Sequence, residues 1–402
     1  MNKKRKIREI ISKSLVYSIG SLGFFILLSI IYYITSTGAQ LVSWDMITGD
    51  HRTININVTT DLVTSDLSVN ALDEAIYYSE KWGIGFENST NREGNPIVRI
   101  AYVHPDSPFK ESINVDVRDE NSPNRVFILT TNYSIEKAIF TDPSGFVIAR
   151  MGAEAIANAF EQTDVIDSVT FQNVGGGIRG SIITTVYMIF LTLMMVLPVG
   201  ISSAIYLNEF AKKNRTTRVI RQMVDLLTGV PSIIYGMLGA ALFIRFLNNM
   251  NLTAGGSVLS GAMTMAVILL PTIIKNTEEA LKVIPMEIRT GSLALGANQT
   301  QTIFKVVLPN AVPGILTGVL LGIGRIMGES AALIFAVGAT IKDTVILTER
   351  STTLATHIWV IMGGEKPNFE LAAAISILIL LIVFIINFSI KLLVSRFYKQ
   401  EI

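Results

Sequence analysis

The chain has 402 residues, 50% of them hydrophobic, a formal net charge of +1 and no cysteine. Its apolar residues are gathered into long runs instead of an amphipathic period, which excludes an ordinary soluble globule and marks a membrane protein. The lack of cysteine excludes disulfide staples in any compartment, and no nucleic-acid partner is expected.

A membrane span needs about 20 mostly apolar residues. Six stretches qualify: Leu15 to Ile34, Ile182 to Leu207, Val224 to Leu247, Val258 to Ile274, Val306 to Ala339 and Leu371 to Val394. The first follows Lys3, Lys4, Arg5, Lys6, Arg8 and Lys13. Its apolar stretch exceeds the ~7–15 residues of a signal-peptide core, so it is read as a retained span.

Between the first two spans, residues 38–177 have the composition of a soluble domain. The runs "PIVRIAYV", "INVDVR" and "RVFILTT" alternate as strands do, whereas "NALDEAIYYSEKW" and "ARMGAEAIANAFEQ" read as helices. A small α+β domain is expected. Acidic residues outnumber basic ones there by roughly two to one, so its surface repels free anions and suits a basic partner or simply solvation. The sequons at Asn57, Asn88 and Asn132 are given no role.

Basic residues mark the cytoplasmic side of connections. Lys212, Lys213, Arg215, Arg218 and Arg221 follow the second span; Lys275, Lys282, Arg289 and Lys305 follow the fourth; Lys391, Arg396 and Lys399 close the chain. Both termini are therefore expected in the cytoplasm and residues 38–177 outside. Arg221 and Asp225, four apart, are read as a membrane boundary, and Arg245 as a side chain that snorkels to water at the outer end of its span. Gly229, Pro231 and Gly236 in "GVPSIIYG" are expected to bend or closely pack the third span, with Ser232 and Tyr235 as candidates to line a path. The connection from residue 276 to 315 is not a passive linker. Leu281, Ile284, Ile288, Leu293 and Leu295 recur at helical spacing, Pro285 starts or breaks a helix, and Gly296 suits a helix end. Two short amphipathic helices, with lipid or a protein to cover their apolar stripe, are expected.

Enzyme chemistry is not visible. His51, His104 and His357 lack metal-ligand spacing, no G-x-S-x-G or H-E-x-x-H run occurs, and no G-x-x-x-x-G-K-[ST] run could hold ATP. Energy for any transport must come from a partner or an ion gradient.

Gly296 followed by "VVLP" (306–309) resembles the coupling-loop signature of ABC importer permeases, with Thr290-Gly291-Ser292 replacing the usual E-A-A and Val306 replacing Ile. Three further stretches, "GGGIRGSIITTVYMIFLTLMMVLPVGISSAIYLNEFA", "DLLTGVPSIIYGMLG" and "VVLPNAVPGILTGVLLGIGRIMGESAAL", are similar to the phosphate importer permeases of the PstA type. The resemblance implies a six-span type I permease core (178–402) with a coupling loop at 276–305, after a tail and first helix (1–37) and an inserted extracytoplasmic α+β domain (38–177), in a bacterial inner membrane. It implies a PstC-like homologous permease, a PstB-like cytoplasmic ATPase dimer that binds ATP and Mg, a PstS-like phosphate-binding protein, and no cofactor in this chain. Glu279, Ala280, Leu293, Ala294, Leu295, Gly296 and Ala297 would meet the ATPase, and Pro309 and Pro313 would pack or hinge the fifth span. A permease for another oxyanion, or a membrane sensor, remains open.

Arg325 and Glu329 lie inside that fifth span. A charge at the bilayer centre costs about 2.5–3.5 kcal/mol and faces a bundle interior or a watery path. Four apart, the two would share a helix face as an ion pair. Either the pair only locks helices, or Arg325 attracts an oxyanion while Glu329 accepts the O–H that phosphate retains near neutral pH, releasing Arg325 when the path opens.

Overall fold

The computed structural model describes residues 3–51, 54–61, 67–69, 73–91, 95–117, 125–131, 133–173, 175–212, 214–364 and 367–399. Arg118, Asn132 and Lys213, named above, lie outside them. Two compact units result: residues 44–178 form one, and residues 1–43 with 179–402 form the other.

The chain starts with α1 (Lys3–Gly38). Leu15, Phe25 and Ile31 are all exposed on it, as on a helix whose surroundings are hydrocarbon. Its end packs where Gly38 meets the backbone of Ala373 and Ala374, leaving no room for a side chain.

The unit of residues 44–178 begins with a short helix, α2 (Trp44–Thr48), and contains nine strands: β1 (Ile54–Thr59), β2 (Tyr77–Ser79), β3 (Ile84–Thr90), β4 (Pro96–Val103), β5 (Ser112–Asn114), β6 (Val126–Phe127), β7 (Tyr133–Asp142), β8 (Ser144–Ile148) and β9 (Val165–Asn173). They form one antiparallel sheet in the order β2-β3-β4-β7-β9-β1-β5-β6, with β8 beside β7. One amphipathic helix, α3 (Ala153–Gln162), places Ile156 and Phe160 against Phe86, Phe109 and Phe140. Trp82 is fully buried and donates its indole N–H to the Thr163 carbonyl at 3.1 Å, so the core's largest residue leaves no polar atom unsatisfied.

"PIVRIAYV" is β4 and "AEAIANAFEQ" is α3. The expected helix over "NALDEAIYYSEKW" is corrected: residues 70–72 are outside the described set, and the rest is turn and the strand β2. Tandem aromatic residues favour a strand, and Tyr77 and Tyr78 pair with Phe86 and Gly85 of β3. The strand expected over "INVDVR" stops at Asn114, because Asp116 turns back to accept the Asn57 backbone N–H at 3.1 Å. "RVFILTT" forms a strand only at Val126 and Phe127.

Among the described residues of the second unit, six helices are long and apolar enough to cross a membrane: Ser12–Leu41, Arg179–Phe210, Ser232–Asn249, Val258–Val283, Gln299–Gly328 and Phe369–Leu392. The protein is a helical membrane protein. The second span is α4 (Arg179–Ile205) and a π turn (Tyr206–Phe210). Then comes α5 (Arg215–Thr228), amphipathic and capped by Asn214, whose side chain accepts the Thr217 N–H at 2.9 Å. The third span is α6 (Ser232–Gly239), a π turn (Ala240–Ile244) and α7 (Arg245–Asn249). The expected start at Val224 is corrected, since Pro231 lacks an N–H and restricts Val230, which separates α5 from α6.

The fourth span, α8 (Val258–Val283), is the bundle's centre and touches α4, α6, α11 (Leu308–Gly328) and α12 (Ala331–Ala336). A Ser257–Ser260 capping box starts it. It runs past the expected end at Ile274 and takes in Leu281, so only α9 (Met286–Ala294) and the single turn α10 (Gln299–Thr302) remain of the expected amphipathic pair. A π turn (Ile303–Val307) leads into α11, and α13 (Leu354–Met362) and α14 (Phe369–Lys399) complete the unit. Gly314 and Gly318 on α11 would place a Cβ 2.6 Å from the Cβ of Ala280 and of Asn276, so these small residues set a close approach to α8.

Candidate functional site: a broken span and a latched loop

The fifth span is broken. α11 ends at Gly328 and Glu329 is extended (φ −79°, ψ 118°), so the helical register that would put Arg325 and Glu329 on one face stops between them. The expected ion pair is corrected: among the described residues neither side chain has a salt bridge. Glu329 instead accepts the Ala332 N–H through Oε1 at 3.2 Å, satisfying an orphan donor in the first turn of α12. Its Oε2 has no hydrogen bond among the described residues. Arg325, half-buried, reaches Thr272 Oγ1 on α8 at 3.4 Å.

Tyr235 is buried on α6, and its hydroxyl donates to the Leu227 carbonyl at 2.8 Å, bridging the α5–α6 break. Ser232 opens α6 half-buried. Gly229 caps α5 and Pro231 caps α6, both exposed. A Cβ on Gly236 would lie 2.6 Å from Ala332 Cα, so α6 and α12 touch backbone to backbone. Pro309 sits in the first turn of α11, where its missing N–H costs nothing, and Pro313 lies inside that helix. Arg325 thus precedes the α11–α12 break, Gly236 packs on Ala332 beyond it, and Tyr235 shares a core cluster with Ile326 and Ala332, whereas Gly229 and Pro231 mark the α5–α6 break.

At the segment expected to meet a partner ATPase, Glu279 and Ala280 belong to α8, not to a loop. Glu279 is exposed and Ala280 packs on Gly314. Leu293, Ala294, Leu295 and Gly296 are exposed, and Ala297 is half-buried. Leu295 is 91% exposed, and Val283, Met286, Ile288 and Leu293 are uncovered near it, so this end of the bundle carries an apolar surface without a lid. Gly296, at φ +89°, ends α9 in a conformation that glycine adopts without strain.

What holds this segment was missed from sequence. Arg289 on α9 donates to the carbonyls of Leu281 (2.8 Å) and Ile284 (2.5 Å), and to Glu209 Oε1 at 3.0 Å. Gln299 Nε2 donates to the Glu209 carbonyl at 2.9 Å. Asn208 adds a 2.8 Å bond to the same carboxylate. Arg289 and Glu209 are 80 residues apart, and only a polar residue in the last turn of an apolar run signalled Glu209.

Arg221 and Asp225 do not pair with each other. Arg221 faces Glu278 at 3.5 Å and donates to the Leu207 carbonyl at 2.7 Å, while Asp225 pairs with Lys275 at 2.7 Å. Glu278 also pairs with Lys282 at 2.9 Å. These charges tie α5 to α8. Arg245 is exposed.

Residues 196–399 match the family model described as binding-protein-dependent transport system inner membrane component. "Probable ABC transporter permease protein YqgI" of Bacillus subtilis (strain 168) is 33% identical over 242 residues, 56% of this chain and 80% of that one. "Phosphate transport system permease protein PstA 1" of Mycobacterium tuberculosis (strain CDC 1551 / Oshkosh) is 34% identical over 192 residues, 48% of this chain and 61% of that one. Among solved structures, an inward-facing MetNI methionine ABC transporter aligns with TM-score 0.45 and 22% identity, covering 55% of this chain and 95% of that one. The match over residues 196–399 and the 33% identity to a permease covered over 80% of its length lead to one conclusion: the chain belongs to the family of binding-protein-dependent transport system inner membrane components, the permease subunits of ABC importers.

Proposed function

We propose that this chain is the permease subunit of an ATP-driven inorganic phosphate importer. Arg325 carries the reading: it is a guanidinium in a membrane-crossing helix that has no carboxylate partner among the described residues and touches only a hydroxyl. Such a group is left with its paired donors available to an oxyanion. The free Oε2 of Glu329 is an acceptor for the O–H of protonated phosphate, which sulfate lacks at neutral pH. Similarity to a phosphate transport system permease supports the same substrate.

The path forms with a PstC-like homologous permease, and a PstS-like binding protein delivers phosphate. The exposed apolar surface at 283–295 docks on a PstB-like ATPase dimer, which binds ATP and Mg. Both termini then face the cytoplasm and residues 38–177 the outside, in accord with the basic connections.

Phosphate uptake is measured in vesicles holding the purified permeases, ATPase and binding protein. Arg325→Gln is expected to abolish uptake, and Arg325→Lys to restore only part, because a lysine lacks the planar fork. Glu329→Gln is expected to reduce the preference for phosphate over sulfate. Unchanged phosphate flux in both Arg325→Gln and Glu329→Gln would overturn the reading. A Glu329→Gln protein that is less stable but equally selective would leave Glu329 only its role at the start of α12.

A further inference from the structure

A cavity with several polar groups in its lining lies in the same unit, away from Arg325. It has a volume of about 720 Å³, and its lining includes Thr253 to Gly256, Lys342, Glu349 and Arg350. The sequence there, "TAGGS", is a glycine-containing loop that runs straight into the capped start of α8.

The donors of α8 itself are engaged. Val258 N–H donates to the Glu349 carbonyl, Leu259 N–H to the Leu347 carbonyl, and Ser257 and Ser260 satisfy each other. The four amides before them, Thr253 to Gly256, donate to no group among the described residues. Thr253 is only 6% exposed, and its buried hydroxyl has no hydrogen-bond partner.

Charge points the same way. Lys342 and Glu349 form an ion pair, and among the described residues Arg350 has no carboxylate partner. Its side chain lies over the loop: a Cβ on Gly255 would be 3.2 Å from Arg350 Nη2, and one on Gly338 would be 3.3 Å from Arg350 Cδ. A side chain at residue 255 would press on the guanidinium.

We propose that this cavity is a phosphate-group site, in which successive backbone N–H groups of residues 253–256 and the Thr253 hydroxyl cradle the oxygens and Arg350 supplies the charge. Backbone amides without an acceptor in one loop, with a guanidinium beside that loop, are the donor set that phosphate oxygens take. The donors fit inorganic phosphate and the phosphate of a lipid headgroup alike. The proposal rests on the transport reading only in naming inorganic phosphate as one source, and its readout is binding, which the Arg325 variants do not decide.

The test uses the full-length purified protein in nanodiscs of zwitterionic lipid. Binding of inorganic phosphate is followed by titration calorimetry for the wild type, Arg350→Gln, Thr253→Val and Arg325→Gln, and lipids retained through purification are identified by mass spectrometry. For free phosphate, Arg350→Gln is expected to weaken binding at least tenfold and Thr253→Val severalfold, while Arg325→Gln still shows the site. For a headgroup, the wild type is expected to retain an anionic phospholipid that both Arg350→Gln and Thr253→Val lose. Thr253→Val removes one hydroxyl at nearly constant volume and keeps the test valid if Arg350→Gln fails to fold. Phosphate affinity and retained lipid that match the wild type in both variants would overturn the proposal, even if uptake through Arg325 were confirmed.

Discussion

Replacing Arg289 by methionine removes the latch of the coupling segment while keeping the length of the side chain. The guanidinium donates to Glu209 and to two carbonyls at the end of α8, and the two side chains are 14% and 10% exposed. Removing one partner of a buried pair costs about 3–5 kcal/mol, because the other charge is left uncompensated. Residual exposure lets water reach the orphaned carboxylate, so the lower end, about 3 kcal/mol, is expected here. Glu209→Gln keeps an acceptor and is expected to cost about 1.5 kcal/mol. If the two groups act on each other, the double variant costs less than the two singles together, by about 1–2 kcal/mol. Unfolding in mixed micelles with increasing SDS measures all four proteins. A coupling energy within about 0.5 kcal/mol of zero would refute the latch. In the assembled transporter, Arg289→Met is expected to leave ATP hydrolysis running with little phosphate moved; tight coupling in this variant would show that the loop is held by its partner instead.

Gly236→Val forces a branched side chain onto the Ala332 backbone, where a Cβ already lies at 2.6 Å, and is expected to destabilise the bundle by about 1–3 kcal/mol in the same SDS titration. Gly324→Val, where no atom lies within 4 Å of the added Cβ, is the matched control and is expected to change little. In the unit of residues 44–178, burial, then the Tyr102 phenol and the Glu80 and Glu161 carboxylates, push Tyr78 up from 10.0 to about 12. The neutral phenol is therefore favoured by folding: its contribution is whole below pH 10.0 and is lost as pH rises to about 12. A tyrosinate absorbance titration of the wild type minus Tyr78→Phe checks this, and a midpoint at the ordinary phenol value would contradict it.

The long spans were legible because lipid imposes a length and an apolar composition that a single sequence displays. Breaks were legible only as anomalies. Val306 to Ala339 was too long for one span, but nothing in it located the stop at Gly328, and that stop decides whether Arg325 and Glu329 meet. The third span was set too early because Val224, Leu226 and Leu227 look like membrane residues; they are the apolar face of α5, which Pro231 separates from α6. In the soluble unit, Tyr77 and Tyr78 fit a helical period equally well, and pairing with β3, some seven residues on, settled the matter. The Arg289–Glu209 latch joins elements far apart in the chain, so local pattern carried no trace of it. By contrast "TAGGS" before an apolar helix is visible in the sequence, but its connection has no basic residue of its own, and Arg350 comes from a distant segment.

Twenty-six residues at about 1.5 Å each make α8 a beam of roughly 39 Å. One end adjoins the glycine loop, and the other is clamped by Arg289 through the carbonyls of Leu281 and Ile284. The beam is weakest at Pro271, which cannot donate to the residue four before it. Thr272, the partner of Arg325, is the next residue. A load applied at the clamped end would therefore bend the beam beside the half-buried guanidinium, at the contact nearest the proposed substrate.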